Sequence, residues 1–133
     1  MQALDWGKVK VLIIEDEVHT RSIIRQLLGR LMVRKIEEAS EGKEGINKAV
    51  NFQPDIIFCD IHMEPVDGLK FLSVLRSMKS SGVARTPVIF LTADAEQETV
   101  IAAKKLDVDG YLVKPVSAAD LKKRILHFVP PMP

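Results

Sequence analysis

Cysteine is nearly absent from the sequence, since Cys59 is the only one among 133 residues. A disulfide framework within the chain is therefore excluded, and a single cysteine suits a reducing compartment. No apolar run approaches the roughly 18 residues of a membrane span, and residues 1–6 lack the charged start and apolar core of a signal peptide. Basic residues are not in excess, because 19 Lys and Arg face 18 Asp and Glu. We therefore expect a cytoplasmic protein without a nucleic-acid or membrane partner.

The most informative stretch is the unbroken apolar run at 56–59, which follows the turn signal Gln53-Pro54 and stops at Asp60. A short run that is apolar on both faces is typical of a strand buried between two helical layers. Such a strand would carry Asp60 to its carboxyl end. In open α/β sheets, ligands bind at that edge, where the strand order reverses.

The sequence as a whole repeats a strand and a helix five times, within a length that fits one compact domain. Right-handed crossovers then place helices on both faces of a parallel five-stranded sheet. Ser40 with Glu44 is expected to open the second helix, Asp67 to cap the third, and Ser117 with Asp120 to form a capping box. The predicted strands lie at 9–14, 33–39, 56–59, 88–91 and 111–113, and the predicted helices at 18–31, 40–52, 67–78, 94–106 and 117–128.

Polar side chains stand where four of these strands stop. Glu15 and Asp16 follow the first strand, Asp60 the third, Thr92 the fourth and Lys114 the fifth. Clustered carboxylates need a cation, and hard oxygen ligands suit Mg²⁺. A carboxylate can also attack phosphorus, and the charge on the moving phosphoryl group needs a metal, an ammonium and a hydrogen-bond donor. The pattern predicts a phosphoryl-accepting site, with Asp16 for the metal, Asp60 as nucleophile, Lys114 as ammonium and Thr92 as donor.

Five motifs in order resemble the receiver domain of two-component response regulators. They are Val11 to Glu17, Ile57 to Asp60, Met63 to Gly68, Phe90 to Ala93 and Tyr111 to Pro115. The resemblance covers residues 8–128, leaving an N-terminal tail at 1–7 and a proline-rich tail at 129–133. It implies a flavodoxin-like, doubly wound sheet with strand order 2-1-3-4-5.

The resemblance also implies roles for single residues. Asp60 would be phosphorylated by a phosphohistidine donor. Mg²⁺, or Mn²⁺ in its place, would be held by Asp16, Asp60 and the backbone carbonyl of His62. Glu15 would act through a metal-bound water. The switch pair would be Thr92 and Tyr111, and the phosphate-binding lysine would be Lys114, whose bond to Pro115 is typically cis.

The loop after Asp60 departs from the family pattern, because Glu64 stands where the family usually has proline and Pro65 follows it. The spacing from Asp60 to Gly68 is nonetheless the familiar one. We expect His62, Glu64 and Asp94 to tune how long the phosphoryl group survives, since they flank the approach of water.

The predicted function is a phosphorylation-controlled switch and not an enzyme, apart from its own phosphorylation and slow autodephosphorylation. Expected partners are a sensor histidine kinase or histidine phosphotransfer protein, and a downstream protein that binds the face at 95–128. We expect a monomer or weak homodimer. Three alternatives remain. One is a haloacid-dehalogenase-type phosphohydrolase, although such enzymes usually have a second acid at the position of His62. Another is a flavodoxin, although the acidic stretch Glu15-Asp16-Glu17 would repel the phosphate of its cofactor, and the third is a receiver domain that is never phosphorylated.

Overall fold

The computed structural model describes residues 3–93 and 107–131. Its strands are β1 (Lys10–Ile14), β2 (Lys35–Ala39), β3 (Ile56–Asp60), β4 (Val88–Thr92) and β5 (Gly110–Val113). The helices in these ranges are α1 (Val18–Arg30), α2 (Gly42–Phe52), α3 (Gly68–Ser77) and α4 (Ala118–Phe128), and a 3₁₀ helix at Trp6–Lys8 precedes β1. All neighbouring strands pair in parallel, in the order β2-β1-β3-β4-β5. The predicted fold and strand order are confirmed; the helix predicted at 94–106 lies outside the described residues.

The central strands are buried on both faces, which explains why their sequences read as continuous apolar runs. Successive side chains of a strand point to opposite faces. In β1, Leu12 and Ile14 join a core with α2 and α3, whereas Val11 and Ile13 join a second core with α1 and α4. The sheet is thus clamped between two helical layers, and its carboxyl edge is left open for a site.

The helix starts follow local capping chemistry, with one correction. The Asp67 carboxylate accepts from the Lys70 N–H at 2.8 Å, and the predicted capping box of Ser117 and Asp120 is present. The prediction that Ser40 opens α2 is wrong, because α2 begins at Gly42 and Glu41 is its N-cap. The Glu41 carboxylate reaches two free N–H groups of the first turn, those of Lys43 and Glu44, whereas the Ser40 hydroxyl donates to the Glu44 side chain.

The segment before β1 is packed onto the domain. Asp5 caps the 3₁₀ helix by accepting from the Gly7 N–H at 3.2 Å. Leu4 and Trp6 are partly buried against the core on the α1 and α4 side. Among the helices in the described ranges, none combines the length and the apolar character required to cross a membrane.

Candidate functional site

The strand register brings the predicted polar side chains to one edge of the sheet. Asp60 ends β3 and pairs with Leu91, the residue before Thr92, which ends β4. Glu15 follows β1, and Lys114 follows β5. Asp60 and Thr92 are both buried, although each is polar. Parallel pairing therefore gathers groups that are far apart in sequence.

Lys114 joins two of the carboxylates at this edge. Its Nζ donates to Glu15 Oε1 at 2.6 Å and lies 3.5 Å from Asp60 Oδ1. Burial is the largest single influence on the pKa of Lys114 and opposes its charge. The hydrogen bond to Glu15 and the charges of Asp60 and Glu15 together outweigh burial, so the pKa of Lys114 is raised above its usual value. The ammonium is therefore held charged beside Asp60.

Glu15, Asp16 and Asp60 form a tight acidic cluster. Each offers a carboxylate oxygen, and these three oxygens lie within 4.8 Å of one another. Partial desolvation of its carboxylate raises the pKa of Asp16, although the residue as a whole is exposed, and the neighbouring Glu15 carboxylate raises it further. Like charges at this separation repel, and a divalent cation with oxygen ligands relieves that repulsion. The residues present thus fit a Mg²⁺-like ion.

The two acids after β1 are not equivalent. Glu15 is buried, and both its carboxylate oxygens have protein partners: Oε1 accepts from Lys114 and Oε2 from the Glu17 N–H at 3.3 Å. Asp16 is exposed at the mouth of the site. Asp16 is therefore the more available direct ligand for a cation.

The loop at 61–67 forms the other wall of the site. The His62 N–H points to Asp60 Oδ1 at a long 3.4 Å. An open, polar cavity of about 490 Å³ lies here, and its lining residues are Asp16, His62, Met63, Glu64 and Asp67. His62 and Glu64 are exposed, so both side chains border solvent beside Asp60. Asp94, the third predicted rate-tuning residue, lies outside the described residues.

Tyr111, the predicted partner of Thr92, lies on the edge strand β5 opposite Phe90. Its side chain is 38% exposed in this structure. Lys114 is joined to Pro115 by a cis peptide bond, as the resemblance implied, and Pro65 also follows a cis bond. The switch role of Tyr111 stays a prediction.

Sequence reasoning missed the contacts of Arg21, a residue in the first turn of α1. Its Nη1 donates to the backbone carbonyl of Glu15 at 2.7 Å, and its Nε donates to Glu38 on β2 at 3.0 Å. Arg21 thus links the acidic turn after β1 to the neighbouring strand β2. Helical periodicity indicates which side a residue faces but not which backbone it reaches.

Comparisons with known proteins agree with this geometry. Residues 11–126 match the profile of the response regulator receiver domain. Chemotaxis protein CheY-3 of Vibrio cholerae is 30% identical over 125 residues, covering 94% of this chain and 95% of that protein. The nitrate/nitrite response regulator protein NarL of Escherichia coli is 32% identical over 116 residues, covering 86% of this chain and 52% of that protein.

A solved structure of chemotaxis protein CheY4 of Vibrio cholerae superposes with a TM-score of 0.82 at 28% identity, covering 96% of this chain and all of that one. The likeness therefore extends over the whole sheet and its helices. The chain belongs to the family of response regulator receiver domains, which serve in phosphorylation-controlled signalling.

Proposed function

We propose that Asp60 is the acceptor of a phosphoryl group delivered by a phosphohistidine. The observation that carries this proposal is the Lys114 ammonium, 3.5 Å from Asp60 Oδ1 and 2.6 Å from Glu15 Oε1. A buried carboxylate at a strand end, with a cation on one side and an acidic pair on the other, suits attack on phosphorus. An Asp60 oxygen bonds to phosphorus as the P–N bond of the donor breaks, and the departing imidazole nitrogen takes a proton from solvent.

The chain's own residues then hold the charge of the transferred group. Lys114 stays protonated beside the acceptor and can pair with a phosphoryl oxygen. The Thr92 hydroxyl, at the end of the adjacent strand, is the proposed donor to a second oxygen. Because Lys114 and Thr92 are already in place when negative charge develops on the phosphoryl oxygens, they need little rearrangement during the reaction.

Mg²⁺, or Mn²⁺ in its place, is the proposed cofactor. Asp16, Asp60 and the backbone carbonyl of His62 would hold it, and Glu15 would act through a water because its own oxygens are engaged by Lys114 and the backbone. When bound, such an ion neutralises charge on the phosphoryl oxygens. Few protein ligands and several waters make weak binding the expectation.

The expected donor is a sensor histidine kinase or a histidine phosphotransfer protein. An apolar cleft of about 330 Å³ opens beside Lys114, between α1 and residues 114–116, which directly follow β5. Ile23 and Val116 are among its lining residues, and Val18 on α1 is exposed. An apolar surface next to the acceptor suits transient docking of a helical donor.

The proposed output surface is the face at 95–128, of which the structure describes β5 and α4. Tyr111, Val113 and Leu126 are exposed large apolar side chains on these elements. Phosphorylation adds negative charge and acceptor oxygens near Thr92. We expect Thr92 to move toward them and Tyr111 to turn inward, which changes the surface that a downstream protein meets.

The remaining parts of the proposal follow from this role. The domain, proposed at 8–128, catalyses its own phosphorylation and slow autodephosphorylation and turns over no separate substrate. It works in the cytoplasm as a monomer or weak homodimer, with protein partners and not nucleic acid or membrane. We assign the lifetime of the phosphoryl group to His62, Glu64 and Asp94.

The test is acetyl phosphate with Mg²⁺, followed by intact-mass detection. Wild type should gain one phosphoryl group, and Asp60→Asn should gain none. Glu64→Gln is the matched control, since it removes a carboxylate from the same cavity and should still be labelled. A label that survives in Asp60→Asn would overturn the assignment, and turnover of a simple phosphate ester would instead favour a phosphohydrolase.

The output half of the proposal is tested by amide NMR with and without beryllofluoride, a mimic of the phosphoryl group. Shifts should extend from Asp60 through Thr92 to the strand at 110–113. Shifts confined to the loops around Asp60 would refute the coupling between Thr92 and Tyr111.

A further inference from the structure

Two backbone contacts hold the loop at 61–67, which follows the acceptor carboxylate. The N–H of Gly68 donates to the Ile61 carbonyl at 2.8 Å, which closes the loop on itself. The N–H of Gly42 donates to the Val66 carbonyl at 2.9 Å, which ties the loop to the start of α2. First-turn N–H groups have no partner within their own helix, so Gly42 has one to offer the loop.

Position 42 has no room for a side chain. A Cβ built on Gly42 would lie 2.6 Å from Val66 Cγ1 and 2.8 Å from the Val66 carbonyl oxygen. The first distance is about 0.8 Å short of an ordinary contact at 3.4 Å. The φ of Gly42 lies outside the left-handed region, so it is the close approach of the loop that requires glycine here.

The loop at 61–67, held in this position, carries groups that border the proposed acceptor Asp60. Its His62 N–H faces Asp60 Oδ1 at 3.4 Å, and His62 and Glu64 line the cavity that Asp16 shares. A shift of Val66 by several tenths of an ångström therefore moves one wall of the site relative to the other. The wall formed by Asp16 belongs to a separate turn after β1 and would not follow.

We propose that Gly42 is a positioning residue for the acceptor site: by admitting the loop at 61–67 against α2, it sets the place of His62 and Glu64 relative to Asp60. Gly42 itself contacts neither the metal nor the phosphoryl group in this role. The inference rests on the proposed function of Asp60. It adds a residue of α2, an element outside the four strand ends, to the machinery of the switch.

Gly45 provides a matched control on the same helix. It is also buried, and a Cβ there would lie 2.5 Å from Ile14 Cδ1 and 3.3 Å from Phe71 Cε1, the ends of core side chains. Gly42→Ala thus disturbs the loop, and Gly45→Ala disturbs the core beneath α2. Both variants should unfold at lower urea concentrations than wild type. The two variants are therefore distinguished by the properties of the acceptor site and not by stability.

Three readouts are compared for wild type and both variants: urea unfolding, the rate of phosphorylation by acetyl phosphate, and the Mg²⁺-dependent shift of the His62 amide. Because a misplacement near 1 Å can cost about 100-fold in rate, we expect Gly42→Ala to slow phosphorylation about tenfold or more and to weaken Mg²⁺ binding. Gly45→Ala should retain the rate and the His62 shift of wild type. Adding Val66→Ala to Gly42→Ala removes the nearest clash and should restore part of the rate.

Equal losses of rate and Mg²⁺ affinity in Gly42→Ala and Gly45→Ala would overturn the inference, as would wild-type values in Gly42→Ala. If Gly42→Ala does not fold, Val66→Ala alone loosens the same contact. It should then lower Mg²⁺ affinity, and wild-type affinity would overturn the inference. Absence of labelling in wild type would instead overturn the proposed function, so the two failures are distinct.

Discussion

Neutralising Asp60 should stabilise the metal-free protein, although it removes the proposed acceptor. The Asp60 carboxylate has an oxygen within 4.8 Å of one on Glu15 and of one on Asp16. At an effective dielectric near 20, the repulsion from buried Glu15 is about 3.5 kcal/mol, and solvent screening makes the repulsion from exposed Asp16 smaller than this. The attraction to Lys114 at 3.5 Å is about 4.7 kcal/mol on the same scale. Asp60→Asn gives up the attraction and both repulsions, so a net gain of at most about 2 kcal/mol is expected.

The assay is urea unfolding followed by circular dichroism, in EDTA and then in excess Mg²⁺. With a typical slope of about 1–3 kcal/mol per molar urea, the midpoint of Asp60→Asn should rise in EDTA, by at most roughly 1 M. Saturating Mg²⁺ should close this gap, because a ligand at about 100 times its Kd adds about 2.7 kcal/mol to the protein that binds it. That gain should be small for the variant.

Asp55→Asn is the control for this prediction. The Asp55 carboxylate accepts from the Lys10 N–H at 2.8 Å, at the start of the sheet and away from the acidic cluster. Removing its charge should not stabilise the protein. An Asp60→Asn protein less stable than wild type in EDTA, or an equal gain in Asp55→Asn, would refute the electrostatic reasoning.

Further predictions concern the neighbours of Asp60. Lys114→Met should destabilise by about 1–3 kcal/mol, because it leaves buried Glu15 unpaired, and adding Glu15→Gln should recover part of this loss. Since the pKa of Lys114 is raised from 10.5, its stabilisation is complete below that pH and should be lost as pH rises through the higher folded value; urea midpoints across alkaline pH check this. Burial raises the pKa of Cys59 well above its usual value, so a thiol reagent should label it only on unfolding. His62→Ala and Glu64→Ala should change the lifetime of the phosphoryl group without preventing labelling; unchanged lifetimes would leave both as ordinary loop residues.

The sheet was predictable because its information is local. Apolar runs at 56–59 and 88–91 need only their own residues to indicate buried strands, and parallel pairing then places the residue after each run at one edge. The close approach of Lys114 to Glu15, 99 positions apart in sequence, followed from that single geometric rule. The same pattern of apolar runs therefore predicted both the fold and the residues that meet at the site.

Other contacts had no local signal. Arg21 reaches the Glu15 backbone from the first turn of α1, which helical periodicity does not indicate. The start of α2 was misplaced because Ser40 is a good capping residue by type, yet Glu41 reaches the free N–H groups of Lys43 and Glu44. The close packing of Gly42 on Val66 joins segments far apart in sequence and is visible only in three dimensions.

The acidic cluster gives physical content to the idea of a switch. Within residues 3–93 and 107–131, the three carboxylates share one nearby ammonium, that of Lys114, so negative charge at this edge is only partly compensated there. Lys114 enters from the last strand, whereas Glu15 follows the first, so this partial compensation requires the whole sheet to be formed. A cluster neutralised by more lysines would be more stable but would have less need of a cation. Incomplete compensation therefore favours an ion at this edge, and the ion in turn favours the phosphoryl group proposed for Asp60.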